Sequence, residues 1–225
     1  MAVMTLTRST IGKKAIMAVT GLIWIGFLAF HMYGNLKVFQ GPVYFNEYAE
    51  SLRALGAPLF SHLHLLTVLR VIVTAAVLLH IWAALTLTNT ARSARPQGYQ
   101  MKRRVQASYA SITMRYGGVA IGLFLLYHLA HFTWLALPGG YVKGDAYGNL
   151  VLGFQNIFNV IFYLVAVSAL GMHLYHGTWS MFQTLGFNNQ KYDSTLRGIA
   201  LGLGILLPVG FAIVPLSVLF GFVTL

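Results

Sequence analysis

A chain of 225 residues in which 57% of side chains are hydrophobic and only 8% charged is too apolar for a soluble domain, where roughly 25% are charged. Its mean hydropathy of +0.70 makes it an integral membrane protein. The lack of cysteine excludes disulfides, iron–sulfur ligation and haem attachment through C-x-x-C-H, and the formal charge of +11 is placed in a way that does not suit nucleic acid.

In chain order, Arg8, Lys13 and Lys14 precede an apolar run that has the layout of a secretory signal. The run is long for a signal core and no small-x-small site follows it, so it reads as a retained first span. Five segments reach the roughly 20 residues that a helix needs to cross a bilayer: 15–36, 63–90, 116–137, 154–185 and 198–224. They must be helices, because a single lipid-exposed segment has to satisfy its backbone internally. The fourth is longer than a bilayer requires and is expected to tilt or project. No Ser-, Pro- or Gly-rich linker divides the chain, so 1–225 is expected to be one all-α transmembrane domain.

The charges between the spans are one-sided. Arg8, Lys13, Lys14, Arg92, Arg95, Lys102, Arg103, Arg104, Arg115, Lys191 and Arg197 fall on one side, against Lys37, Arg53 and Lys143 on the other. The positive-inside rule then places the N-terminus in the cytoplasm and the C-terminus outside. The outer connection 37–62, with Gly41-Pro42 and Pro58, is expected to pack as a cap. The basic inner connection 91–115 suits either anionic lipid or a soluble cytoplasmic partner.

The eight histidines sort by depth. At about 1.5 Å per residue, His31 and His128 each lie about 15 Å below the outer span ends. His80 lies about 27 Å down, His173 about 25 Å and His176 about 30 Å. An outer pair thus joins spans one and three, and an inner pair joins spans two and four, at levels roughly 10 Å apart. The spans repeat this arrangement faintly, one histidine per span in two successive pairs.

Two imidazoles on facing helices suit haem b, whose iron takes axial histidines without covalent attachment. Zinc wants four ligands, and a proton relay wants an acidic group that no span contains. Arg70, about 12 Å deep, could pair with a propionate of the outer haem or snorkel to the interface. Lys13, Lys14, Ser9 and Arg115 could do the same for the inner haem. His62 and His64 read as interfacial, and His131 as a residue for the outer haem, a quinone or neither, the last being favoured.

These residues resemble the di-haem cytochrome b membrane subunit of succinate:quinone oxidoreductases, in the single-chain class with five helices that includes fumarate reductases. The resemblance covers nearly the whole chain. Lys14-Ala-Ile-Met-Ala-Val-Thr-Gly21 and Phe30-His-Met-Tyr-Gly-Asn-Leu36 resemble the first helix of that family and imply His31 as a ligand. Arg70 through Leu79-His-Ile-Trp82, with Ala94-Arg-Pro96 and Tyr99 beyond, implies His80; Arg115-Tyr-Gly-Gly118 with Leu126-Tyr-His-Leu129 implies His128. In the family's fourth haem helix, a Gly follows the ligand by four residues and another by thirteen. This pattern fits His173 with Gly177 and Gly186, and does not fit His176.

The resemblance implies two b haems, on His31 with His128 outside and on His80 with His173 inside. It also implies an iron–sulfur subunit and a flavoprotein subunit on the cytoplasmic face of a bacterial inner membrane, and a quinone, commonly menaquinone. The chain would carry electrons rather than oxidise succinate by itself. Some members have a Glu just before the fourth ligand, where this chain has Gly171-Met172. The competing readings are a di-haem cytochrome b of a hydrogenase or formate dehydrogenase, and a haem-free transporter or scaffold.

Overall fold

The computed structural model describes residues 7–94, 109–187 and 189–225, with 109–113 described by their backbone alone. Arg95-Pro96, Tyr99 and Lys102-Arg103-Arg104 lie outside the described residues. The chain is all-helical among the described residues, and five of its helices are long and apolar enough to cross a membrane. They are α1 (Thr10–Leu36), α3 (His64–Ser93), α4 (Tyr109–His128), α6 (Ile157–Thr184) and α7 (Asp193–Leu219). Two shorter helices, α2 (Pro42–Arg53) and α5 (Ala146–Gln155), lie at the end where α1 and α4 finish.

Several boundaries differ from expectation, three of them for a visible local reason. The expected span 154–185 is two helices: Asn156 adopts extended backbone and accepts from the Phe158 amide at 2.9 Å, ending α5 and capping α6. At 28 residues α6 remains longer than a bilayer requires, as expected of the fourth span. The third span ends at Thr133, after a π turn over Leu129–Thr133. The last begins at Asp193, whose carboxylate suits a helix N-terminus.

The expected cap is present. Asn46 on α2 donates to Asp145 at 3.0 Å and accepts from the Tyr147 amide at 3.0 Å, tying α2 to the start of α5. The Tyr147 hydroxyl donates to the Thr224 carbonyl at 2.9 Å, drawing in the C-terminus. Beneath lies the main core, with Val38, Phe45, Val151, Phe154, Val160, Val214 and Val218 all buried. By contrast, the membrane-crossing helices expose many large apolar side chains along their length, as expected where lipid is the solvent.

α1 and α6 are the centre of the bundle. α3 leans mainly on α1 and α4 mainly on α6, while α7 packs against α6 and α1. Small residues permit close approach: Ala18 on α1 and Ala76 and Ala83 on α3 are buried. The α6–α7 seam is tighter. A Cβ at Gly171 would lie 2.7 Å from the Gly204 carbonyl oxygen and 2.9 Å from Pro208, and one at Gly204 would lie 2.9 Å from Tyr175.

That seam makes a direct prediction. Gly171→Leu should cost about 1–3 kcal/mol through overpacking, seen as a lower melting temperature of the purified protein in detergent. Gly202→Leu, where nothing lies within 4 Å of a new Cβ, should leave the melting temperature nearly unchanged.

Candidate functional site

The helix pairs α1–α3 and α4–α6 place the histidines. On α1, Thr20 and Gly21 face His80 of α3. The Thr20 hydroxyl donates to the Ile16 carbonyl at 2.7 Å, and its oxygen lies 3.1 Å from His80 Nδ1. A Cβ at Gly21 would stand 3.6 Å from His80 Cε1. Gly118 on α4 repeats the arrangement, where a Cβ would stand 3.7 Å from His173 Cε1 on α6.

Ten residues beyond each of these glycines comes the second histidine of its pair of helices, His31 after Gly21 and His128 after Gly118. The levels are therefore roughly 15 Å apart along the helices, farther than the span ends imply. Residue contacts set this spacing, whereas the span ends shift with every cap and π turn.

At the level nearer the cap, the rings of His31 and His128 lie 5.8 Å apart at 82°. His31 stacks on Phe27 at 5.3 Å, and His128 Nδ1 lies 3.2 Å from the Tyr163 hydroxyl. At the other level, His80 and His173 lie 6.2 Å apart at 56°. Each level thus joins two rings from different helices, as depth alone pairs them. His176 is half-buried and makes no ring contact with His80 among the described residues, so His173 is the ring that faces across.

Could these residues hold a haem? An imidazole nitrogen bonds a first-row metal ion at about 2 Å, so two rings facing one ion from opposite sides have centroids about 6 Å apart. Both separations fit. Hydroxyls at Nδ1 of His80 and His128 favour the tautomer that leaves Nε2 bare for a metal. No group of three or more His, Cys, Asp or Glu side chains suited to a metal occurs among the described residues, which disfavours a closed zinc site. Among the described residues, three buried polar atoms also lack a protein partner: Trp24 Nε1, His173 Nδ1 and Thr178 Oγ1. Trp24 stands on α1 between the two levels, where its N–H could meet a polar group of a bound cofactor.

Other sequence candidates fall outside this centre. His62 lies 2.9 Å from Glu50 in the cap, and His64 is exposed at the start of α3. The Glu50 carboxyl is held below its usual range, first by His62 and then by Arg53. Arg70 is exposed, with no hydrogen bond or ion pair to a described residue. It lies ten residues before His80, as His31 lies ten after Gly21, so the antiparallel helices set Arg70 near the His31 level. Ser9 caps α1 through the Gly12 amide at 3.0 Å, while Lys14 and Arg115 are exposed.

Residues 86–212 match the profile of the succinate dehydrogenase/fumarate reductase transmembrane subunit. The chain belongs to this family. No curated protein and no solved structure gives a significant match. The matched stretch begins after His80, so it contains His128 and His173 but neither of their facing rings. As a transmembrane subunit of such a complex, the chain is a multi-pass membrane protein whose partners are soluble subunits.

His131, which the sequence leaves between the outer haem, a quinone and neither, lies beside the outer pair. His131 is fully buried, with both ring nitrogens occupied and its ring stacked on Phe132 at 4.0 Å. Its spacing of three from His128 was a usable signal, since such residues share a helix face. The π turn and the tyrosines that enclose it were not legible.

Proposed function

We propose that the chain is a di-haem electron-transfer subunit in which His31 and His128 hold the outer haem and His80 and His173 the inner one. The observation that carries this reading is the meeting of two imidazole pairs, each from two helices, at two levels of one bundle. Two b haems held there would carry single electrons between a soluble iron–sulfur subunit, itself joined to a flavoprotein, and a membrane quinone.

The residues divide the work in a simple way. Thr20 and Tyr163 orient His80 and His128 through Nδ1. Gly21 and Gly118 stand opposite two of the four rings, where a Cβ would make ordinary van der Waals contact with His80 and His173. Phe27, Phe124 and Phe211 surround the outer pair with apolar rings. Arg70, near the outer level, supplies a guanidinium suited to a haem carboxylate. The basic face, including Arg8, Lys13, Lys14 and Arg92, is the docking side for the soluble subunits of a complex in a bacterial cytoplasmic membrane.

A reduced-minus-oxidised spectrum and haem assay of the purified complex should give two b haems per chain. His31→Ala and His128→Ala should remove the same haem, and His80→Ala and His173→Ala the other, while His176→Ala keeps both. Fewer than one haem in the parent protein would overturn the reading. Arg70→Leu should lower the outer haem's midpoint potential more than the inner one's, because a nearby positive charge opposes the oxidised form. Equal or absent shifts in a potentiometric titration would leave Arg70 an interfacial residue.

A further inference from the structure

One buried ring beside the outer histidine pair, His131, has no part in the haem reading given above. Tyr163 of α6 places its hydroxyl oxygen between the ring that ends α4 and the one in the π turn after it, 3.2 Å from His128 Nδ1 and 3.0 Å from His131 Nδ1. The other nitrogen of His131 lies 2.7 Å from the hydroxyl of Tyr141, in the connection after α4. His131 thus has no nitrogen free for a metal. It is also fixed sterically: it stacks on Phe132 at 4.0 Å, and a Cβ at Gly153 of α5 would come within 2.9 Å of its Nε2.

The geometry has one consequence for the protons. A phenol carries one O–H proton, and a neutral imidazole carries one N–H. Tyr163 can therefore donate to only one of its two rings and must accept from the other. If it donates to His131, then His131 carries its proton on Nε2 and donates to Tyr141, while His128 donates from Nδ1 to Tyr163. Every contact is then satisfied, and His128 Nε2 is left bare. The reverse arrangement satisfies the same contacts with Tyr141 donating. His128 Nδ1 then accepts, its proton moves to Nε2, and the nitrogen that would meet a metal is blocked, so a metal on Nε2 selects the first.

We propose that Tyr163, held by His131, is a positioning residue for His128 that fixes its Nδ1–H tautomer and strengthens it as an axial ligand. The proposal rests on the haem reading given above. An N–H···O bond from a ligand imidazole raises its basicity, which favours the oxidised metal. The inner level has a shorter device: Thr20 gives its proton to the Ile16 carbonyl, so its oxygen can only accept from His80. The outer ligand differs because its acceptor is itself oriented by a third, buried ring. The π turn at Leu129–Thr133 sets that ring in place, as such turns do at functional sites.

The test is a potentiometric titration of both haems in the purified complex, with low-temperature electron paramagnetic resonance of the oxidised state. Tyr163→Phe keeps the ring and removes the oxygen. It should retain both haems, raise the midpoint potential of the outer haem alone, and shift that haem's low-spin signal. His131→Leu should move the outer potential in the same direction, and His131→Gln, which keeps an acceptor, should return it toward the parent value. The His131 pair decides the matter if Tyr163→Phe does not assemble. Unchanged midpoints with both haems bound, or an inner shift as large as the outer, would overturn the positioning role alone. A parent complex without haem would instead overturn the haem reading on which it rests.

Discussion

The structure depends on one constraint: an imidazole set in an apolar helix bundle needs something for each of its nitrogens. Leaving a polar group buried and unpaired costs on the order of 1–3 kcal/mol, and water does not reach most of these positions. The bundle answers on one side of the ring with protein hydroxyls, Thr20 for His80 and Tyr163 for His128. On the other side each ring meets the ring of another helix, at 6.2 Å and 5.8 Å. The other two rings have no such hydroxyl: His31 stacks on Phe27, and His173 Nδ1 is buried without a partner among the described residues.

The helix arrangement follows from the same need. Gly21 and Gly118 each lie opposite a histidine, and each precedes a second histidine by ten residues on its own helix. The two halves α1–α3 and α4–α6 thus present one pattern twice, which gives structural meaning to the faint repeat of histidines. A Cβ at either point would only touch the opposed ring at ordinary van der Waals distance. Space is decisive instead at the Gly171–Gly204 seam, where backbone approaches backbone.

Cohesion is unevenly distributed along the bundle. The main buried core lies beneath the cap, where α2, α5 and the C-terminus are tied by Asn46, Asp145 and Tyr147. α3 and α4 each lean mainly on one neighbour. The buried His131 joins this tied end to the outer histidine pair, through Tyr141 on one side and Tyr163 on the other.

Much of this was legible in the residues. A bilayer offers the backbone no partners, so five long apolar stretches could only be helices, and the regular rise of a helix turned residue numbers into depths that paired His31 with His128 and His80 with His173. The sequence also supplied the glycine spacing that separates His173 from His176. It did not give the helix break at Asn156, the π turn or the distance between the two levels, because each is set by a local hydrogen bond or a contact between helices. It left His131 without a role for the same reason: its partners Tyr141 and Tyr163 lie 10 and 32 residues away in the chain and meet it only when α4 and α6 pack. Periodicity determines which residues share a depth, and packing alone decides which atoms face each other there.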